Sequence, residues 1–201
     1  RNPDTVVPLQ GVELLPLDVR DDGSVQAGVE TALSRGGRID VLVNNAGYAV
    51  VGAVEETSPS EAQALFDTNV FGVLRMVRAV LPAMRRQGSG IIVNTSSVLG
   101  FLPGPFMGLY AGSKHALEGL SESLDHEVRG FGVRVVLVEP GFTKTRIGAN
   151  AVHARQTIAA YAGTSRQVSD AIAARIRAGF GPETVAAEIL RAIERPHRMR
   201  R

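Results

Sequence analysis

Short runs dominated by Val and Ile alternate along the chain with longer stretches whose apolar residues recur every three or four positions. Three of the short runs read as buried parallel strands: Ile39–Asn44, Gly90–Asn94 and Val133–Val138. Each is bounded by Gly or Asn, and each is near-continuously apolar, as strands covered on both faces are. A fourth, Val12–Val19, fits the same pattern, with Pro16 favouring an edge position or a strand end. Helical spacing marks Ser24–Arg35 through Val25, Val29, Ala32 and Leu33. It marks Ser60–Gln87 through Leu65, Val73, Val77, Val80, Leu81 and Met84, with Pro59 as a start signal. Pro82 lies inside that run and predicts a bend or an early end. Tyr110–Arg129 carries Ala116, Leu117, Leu120, Leu124 and Val128, and Pro182–Arg195 reads as a last helix.

This alternation predicts an α/β fold, a doubly wound parallel sheet between two layers of helices. Ligands of such sheets sit in the crevice at the strand ends. Residues 142–182 break the rhythm, with helical patterns near Ala151–Ala162 and Val168–Ala178 separated by Gly163-Thr164-Ser165. Such a segment reads either as a substrate lid or as a packing pair of helices.

The totals narrow the function classes. With 201 residues, 44% of them hydrophobic, the chain suits a single globular domain. The formal net charge of +2 says little about partners, and much of the arginine excess sits in the final stretch Arg195–Arg201. No aromatic or zinc-binding module accompanies that tail, so no nucleic-acid partner is expected. Zero cysteines exclude disulfides and thiolate metal sites and fit a reducing cytoplasm. No apolar run approaches a membrane span, and no metal site is expected.

The chemistry-bearing residues fall at the predicted strand ends. Tyr110 and Lys114 stand four apart, which on a helix puts both on one face. An ammonium beside a phenol favours loss of the phenol proton. Ser97, thirteen residues before Tyr110, offers a hydroxyl to hold a carbonyl oxygen, and Ser96 is the neighbouring alternative. Asn44-Asn45-Ala46-Gly47 follows a strand, reading as a plain turn or as a place where backbone approaches a flat ligand. Asn69 is polar within an amphipathic run: it either faces solvent or marks a kink whose carbonyl meets water. Pro140-Gly141 ends another strand.

In order and spacing, these residues resemble the short-chain dehydrogenase/reductase family from about Asp18 to Thr145: Asn44–Gly47, Asn69, Asn94–Ser97, Tyr110 with Lys114, and Pro140-Gly141 followed by Thr143 and Thr145. Val98–Ala116 and Leu117–Leu124 look like its hydroxysteroid and retinol dehydrogenase-like members. The resemblance implies a Rossmann-like fold and an NAD(P)-dependent oxidoreductase interconverting an apolar alcohol and its ketone or aldehyde. It makes Tyr110 the general acid/base and Lys114 the group that lowers its pKa and holds ribose hydroxyls. Ser97 would hold the substrate oxygen, and Asn69 would anchor a water leading from Lys114. It gives the adenine to Asp18 and Val19, the adenosine ribose region to Asn45, Ala46 and Gly47, and the nicotinamide to Pro140, Gly141 and Thr143 or Thr145. Phe101, Leu102, Pro103, Pro105, Phe106 and Met107 would form an apolar wall of the cleft.

Such chains begin with a strand, a glycine-rich turn, a helix and a second strand, none of which occurs here. The resemblance therefore places residue 1 just after the second strand and a final strand beyond the last helix. The expectation is one incomplete Rossmann-like domain over 1–201, from a longer enzyme. Arg1 would then stand near the adenosine 2′ position and favour NADP over NAD, its other reading being an ordinary exposed arginine. The long helices Ser60–Gln87 and Tyr110–Arg129 pair between subunits in the resembled family, so a homodimer or homotetramer is expected. The competing function is a non-catalytic nucleotide-binding or regulatory module, or an inactive fragment.

Overall fold

The structure is a computed structural model that describes residues 10–145, 147–148 and 150–195. Three parallel strands, β1 (Val41–Asn44), β3 (Gly90–Thr95) and β4 (Val133–Val138), form a sheet in the order β1-β3-β4. Val41 stands opposite Ile91, and Gly90 opposite Val133. Helices α1 (Asp22–Gly36), α3 (Gly72–Gln87), α4 (Gly108–Val128) and α6 (Pro182–Glu194) surround it. The core lies where Val73, Val77, Val80 and Met84 of α3 meet Ile92, Val133 and Val135 of the sheet and Leu117 of α4. The predicted doubly wound α/β reading is thereby met, and the strands expected at 39–44, 90–94 and 133–138 are present within two residues.

Three expectations fail, each for a local reason. Residues 12–19 form no strand. Leu15, Leu17 and Val19 are instead half-buried in alternation, Leu17 against Gly28 of α1 and Val19 against Gly72 of α3. The alternation is real, but it reports packing on helices rather than a ladder. The helix expected over 60–87 is divided into α2 (Pro59–Phe66), a π-helical turn (Asp67–Phe71) and α3. It does not stop at Pro82, but runs on to Gln87 and closes on left-handed Gly88.

The third failure concerns 151–162, which forms no α-helix before Ala162 and carries only a short 3₁₀ turn at Ala159–Tyr161. Val152–His153 forms a short strand, β5, beside β2 (Val50–Val51). The Val152 and Ala154 N–H groups donate to the Ala49 and Val51 carbonyls, both at 2.9 Å. Arg155 N–H donates to Glu61 Oε1 at 3.0 Å, and Ile158 N–H to Glu56 Oε1 at 2.8 Å. With these donors committed elsewhere, a helix cannot propagate. It begins only at Ala162, as α5 (Ala162–Ala178), and Gly163-Thr164-Ser165 lie in its first turn rather than between two helices. The Tyr161 hydroxyl adds a third clasp, donating to Glu55 Oε2 at 2.6 Å.

Buried polar groups fix the register of helix on sheet. Asn44 donates to Asn94 across β1 and β3, and Asn94 donates to Ser121 of α4, each at 2.8 Å. One turn further along α4, fully buried Asp125 accepts from Val135 N–H at 2.8 Å and from Arg129 at 2.6 Å. Arg134 lies 3.4 Å from its other oxygen. Between α4 and β4 the chain turns through Gly132 at φ 72°, where a Cβ would run into the Gly88 carbonyl.

Two predictions follow from these contacts. Burial pushes the Asp125 carboxyl up, but Val135 N–H, Arg129 and Arg134 outweigh it and hold it below its ordinary value. Its contribution is therefore full above the unfolded pKa and lost as pH falls through the folded one. Asp125→Ala, measured by urea unfolding at pH 7, should cost about 2 kcal/mol, with a smaller difference below pH 4. For the clasp, Ile158 N–H and then Ala53 N–H hold Glu56 below the usual carboxylate range, and the Ser58 hydroxyl and N–H, with Arg155 N–H adding to them, hold Glu61 there. Amide exchange at Arg155 and Ile158 should accelerate in Glu56→Gln/Glu61→Gln, and in the wild type as acid protonates these carboxyls, while exchange in β3 stays slow.

Candidate active site

The C-terminal ends of β1, β3 and β4 open on one side of the sheet, and α4 begins there. Its first turns bring Tyr110, Ser113 and Lys114 inward, 6%, 0% and 6% exposed. Ser97, 8% exposed, caps a short 3₁₀ turn by accepting from Leu99 N–H at 3.2 Å. Its hydroxyl faces the Tyr110 phenol and favours the ionised form. Ser96 points elsewhere, towards Gly100 and Glu118. Of the two serines, the structure places Ser97 on the tyrosine.

Lys114 Nζ donates to the Thr95 carbonyl at 2.7 Å and stands 5.8 Å from the centre of the Tyr110 ring. Burial pulls the ammonium down to about 8, opposed by the negative charge of Glu118. Burial also raises the Tyr110 phenol, and Ser97 only partly offsets it. The phenol therefore stands above its ordinary value, not below it. The expected net depression is not met because burial outweighs what lowers the phenol.

Asn69 does not face solvent. It is 1% exposed within the π-helical turn. Its Oδ1 accepts from Tyr48 N–H at 3.1 Å, while its Nδ2 reaches the Tyr48 carbonyl at 3.0 Å and Ser113 Oγ at 3.1 Å. Ser113 in turn donates to the Tyr110 carbonyl at 2.7 Å. One amide thus binds the loop after β1 to the turn that carries Tyr110. Gly47 in that loop packs closely on the site: a Cβ there would sit 3.1 Å from Asn69 Oδ1 and 4.0 Å from Lys114 Nζ, so a side chain would press on the Asn69 amide. The side-chain role of Ser113 escaped the sequence reading. Its signal was a small polar residue one turn after Tyr110, on the buried face with Lys114.

The outlying residues divide. Val19 and Ala46 line one small hollow with Asn44, Thr68, Gly72 and Val73. Arg75 holds Val19 there, donating to its carbonyl at 3.2 Å while pairing with Asp67 at 2.8 Å. Asn45, Ala46 and Gly47 are exposed above it. Asp18 is exposed but engaged: Arg20 donates to both carboxylate oxygens and holds it well below the usual carboxylate range. Pro140 is joined to the serine turn, its carbonyl accepting from Val98 N–H at 3.0 Å. Thr143 is drawn the other way, bridging to Phe180. With Pro140 and Gly141 it lines a cleft of about 260 Å³ against Thr184, Val185 and Glu188 of α6. Thr145 is exposed and is not among the residues of that cleft. Arg1 lies outside the described residues.

Met107 packs with Ala49, Val51 and Tyr110 in an apolar cluster that Ile172 of α5 joins. Phe106, held at φ 61° while its carbonyl accepts from Gly52 N–H at 2.9 Å, meets the Tyr161 ring edge-on at 6.3 Å. Phe101 and Leu102 are exposed.

Known proteins carry the same arrangement of sequence. A Schizosaccharomyces pombe oxidoreductase of uncharacterized function is 38% identical over 184 residues, covering 92% of this chain and 78% of its own. Human 17-beta-hydroxysteroid dehydrogenase type 1 is 45% identical over 134 residues, covering 67% of this chain and 40% of its own. This chain thus spans well under half the length of the human relative. A solved short chain dehydrogenase/reductase from Burkholderia phymatum, in complex with NAD, is 34% identical. It superposes with a TM-score of 0.77 over 89% of this chain and 66% of its own. The family profile described as short chain dehydrogenase matches residues 8–156, and the chain belongs to that family.

Proposed function

We propose that the protein is an NAD(P)-dependent oxidoreductase interconverting an apolar alcohol and its carbonyl compound, with Tyr110 as the acid/base. Membership of the family supports the coarser statement, a nicotinamide-dependent oxidoreductase. The observation that carries the finer one is the burial of Tyr110 against the Ser97 hydroxyl, one helical turn from Lys114.

The residues present fit a nicotinamide cofactor. Lys114 has three N–H donors and commits one to Thr95, leaving the others for hydroxyls such as a ribose diol offers. Gly47, Asn45 and Ala46 expose backbone beside it, as close approach of a flat ligand requires. When bound, the cofactor supplies or receives the hydride. The protein's own part is then positional and protonic. Ser97 donates a hydrogen bond to the substrate oxygen and holds it against Tyr110. In reduction the Tyr110 hydroxyl gives its proton to that oxygen, and in oxidation the phenolate takes it back.

Met107, Phe106 and Tyr161 form an apolar wall beside the phenol, and this supports an apolar substrate. Residues 142–182, clasped to Glu55, Glu56 and Glu61, are the substrate flap of a single domain. Phe71 and Leu74 on one helix and Leu120 on the other are exposed, which supports pairing of these helices between subunits. Among the described residues no helix is long and apolar enough to cross a membrane.

Tyr110→Phe in the full-length protein should lower turnover of an apolar ketone by on the order of 10³-fold, read as NADPH or NADH consumption, with nucleotide affinity nearly unchanged. Ser97→Ala should lower it roughly 10²-fold. Retention of most turnover by Tyr110→Phe would remove the acid/base assignment.

A further inference from the structure

Three buried oxygens near the C-terminal end of β3 have no hydrogen-bond partner among the described side chains: Thr95 Oγ1, Ser96 Oγ and Glu118 Oε1. Two of them share one space. A Cβ on Gly100 would lie 2.7 Å from Ser96 Oγ and 2.9 Å from Glu118 Oε1, so the hydroxyl and the carboxylate meet where Gly100 has no side chain. Glu118 is 9% exposed and sits on α4 one turn beyond Lys114 and two beyond Tyr110, on the same buried face.

A buried carboxylate with a bare oxygen is costly, and so is a buried ammonium with a single acceptor. One helical turn apart, each compensates the other. We propose that Glu118 is a positioning residue that keeps the Lys114 ammonium charged inside the site and thereby sets the upper pH limit of proton transfer at Tyr110. The inference rests on Lys114 belonging to the site described above.

The charges around Lys114 leave this role to one group. Among the described residues the titratable groups that face it are Tyr110 and Glu118, both of its own helix. From β3 comes the Thr95 carbonyl, from the loop after β1 comes Gly47, and from the π-helical turn comes Asn69, all uncharged. Burial draws the ammonium down to about 8, and Glu118 is the group that resists. Without that negative charge the ammonium loses its proton at lower pH.

The chain has two lysines, Lys114 and Lys144. NMR of the full chain labelled with ¹³C and ¹⁵N lysine therefore gives two side-chain signals, and Lys144→Arg assigns them. The Lys114 midpoint should lie near 8 in the wild type. It should fall by on the order of one pH unit in Glu118→Gln, which keeps the shape and removes the charge. Glu118→Asp, which keeps the charge but withdraws it by one methylene, should give a smaller fall, and it serves alone should Glu118→Gln not fold. The alkaline limb of kcat should move in the same direction. An unchanged or higher midpoint in these variants overturns the proposal. The midpoint requires no turnover, so that result is separate from any failure of the Tyr110 assignment.

Discussion

The site depends on one side-chain amide. Asn69 spends both of its ends on other parts of the chain: on the Tyr48 backbone N–H and carbonyl, and on the Ser113 hydroxyl. A regular α-helix would carry position 69 round with the rest of its face, and the π-helical turn at Asp67–Phe71 is what sets it differently. Because Ser113 also holds the Tyr110 carbonyl, the loop after β1 and the first turn of α4 share one constraint. Asn44, Asn94 and Ser121 repeat the device one layer deeper in the sheet. Such contacts define the register of α4 on the strands more sharply than apolar packing alone, since an unpaired buried polar group is expensive.

That frame explains the electrostatics. Packing α4 on the sheet, chiefly on β4, buries Tyr110, Lys114 and Glu118 together, which raises the phenol and lowers the ammonium. The same closeness leaves no room at Gly100 for a side chain and little at Gly47. Geometry and protonation are thus set by one packing contact rather than by separate features.

Much of this was legible in the sequence, and what was not has physical causes. The apolar runs at 90–94 and 133–138 are strands because they are buried on both faces, a property that hydropathy records directly. Tyr110, Lys114 and Ser97 converge as their spacing implied. The failures lie where a side chain competes for a backbone hydrogen bond. Glu56 and Glu61 capture the N–H groups of Ile158 and Arg155 from about a hundred residues away, and local periodicity carries no trace of such partners. The π-helical turn at Asn69 is likewise decided by Tyr48 and Ser113, both distant in sequence. The direction of the Tyr110 shift is not in the sequence because spacing locates Lys114 but does not show how deeply packing buries the phenol.

The most direct test of the account is label transfer from nicotinamide cofactor deuterated at C4 to an apolar ketone, comparing the full-length wild type with Asn69→Leu. The account predicts deuterium on the carbinol carbon of the wild-type product. It also predicts a rate lower by on the order of 10²-fold in a folded Asn69→Leu protein, whose tyrosine turn is no longer tied to the loop. Label absent from that carbon, or an undiminished rate in Asn69→Leu, would contradict it.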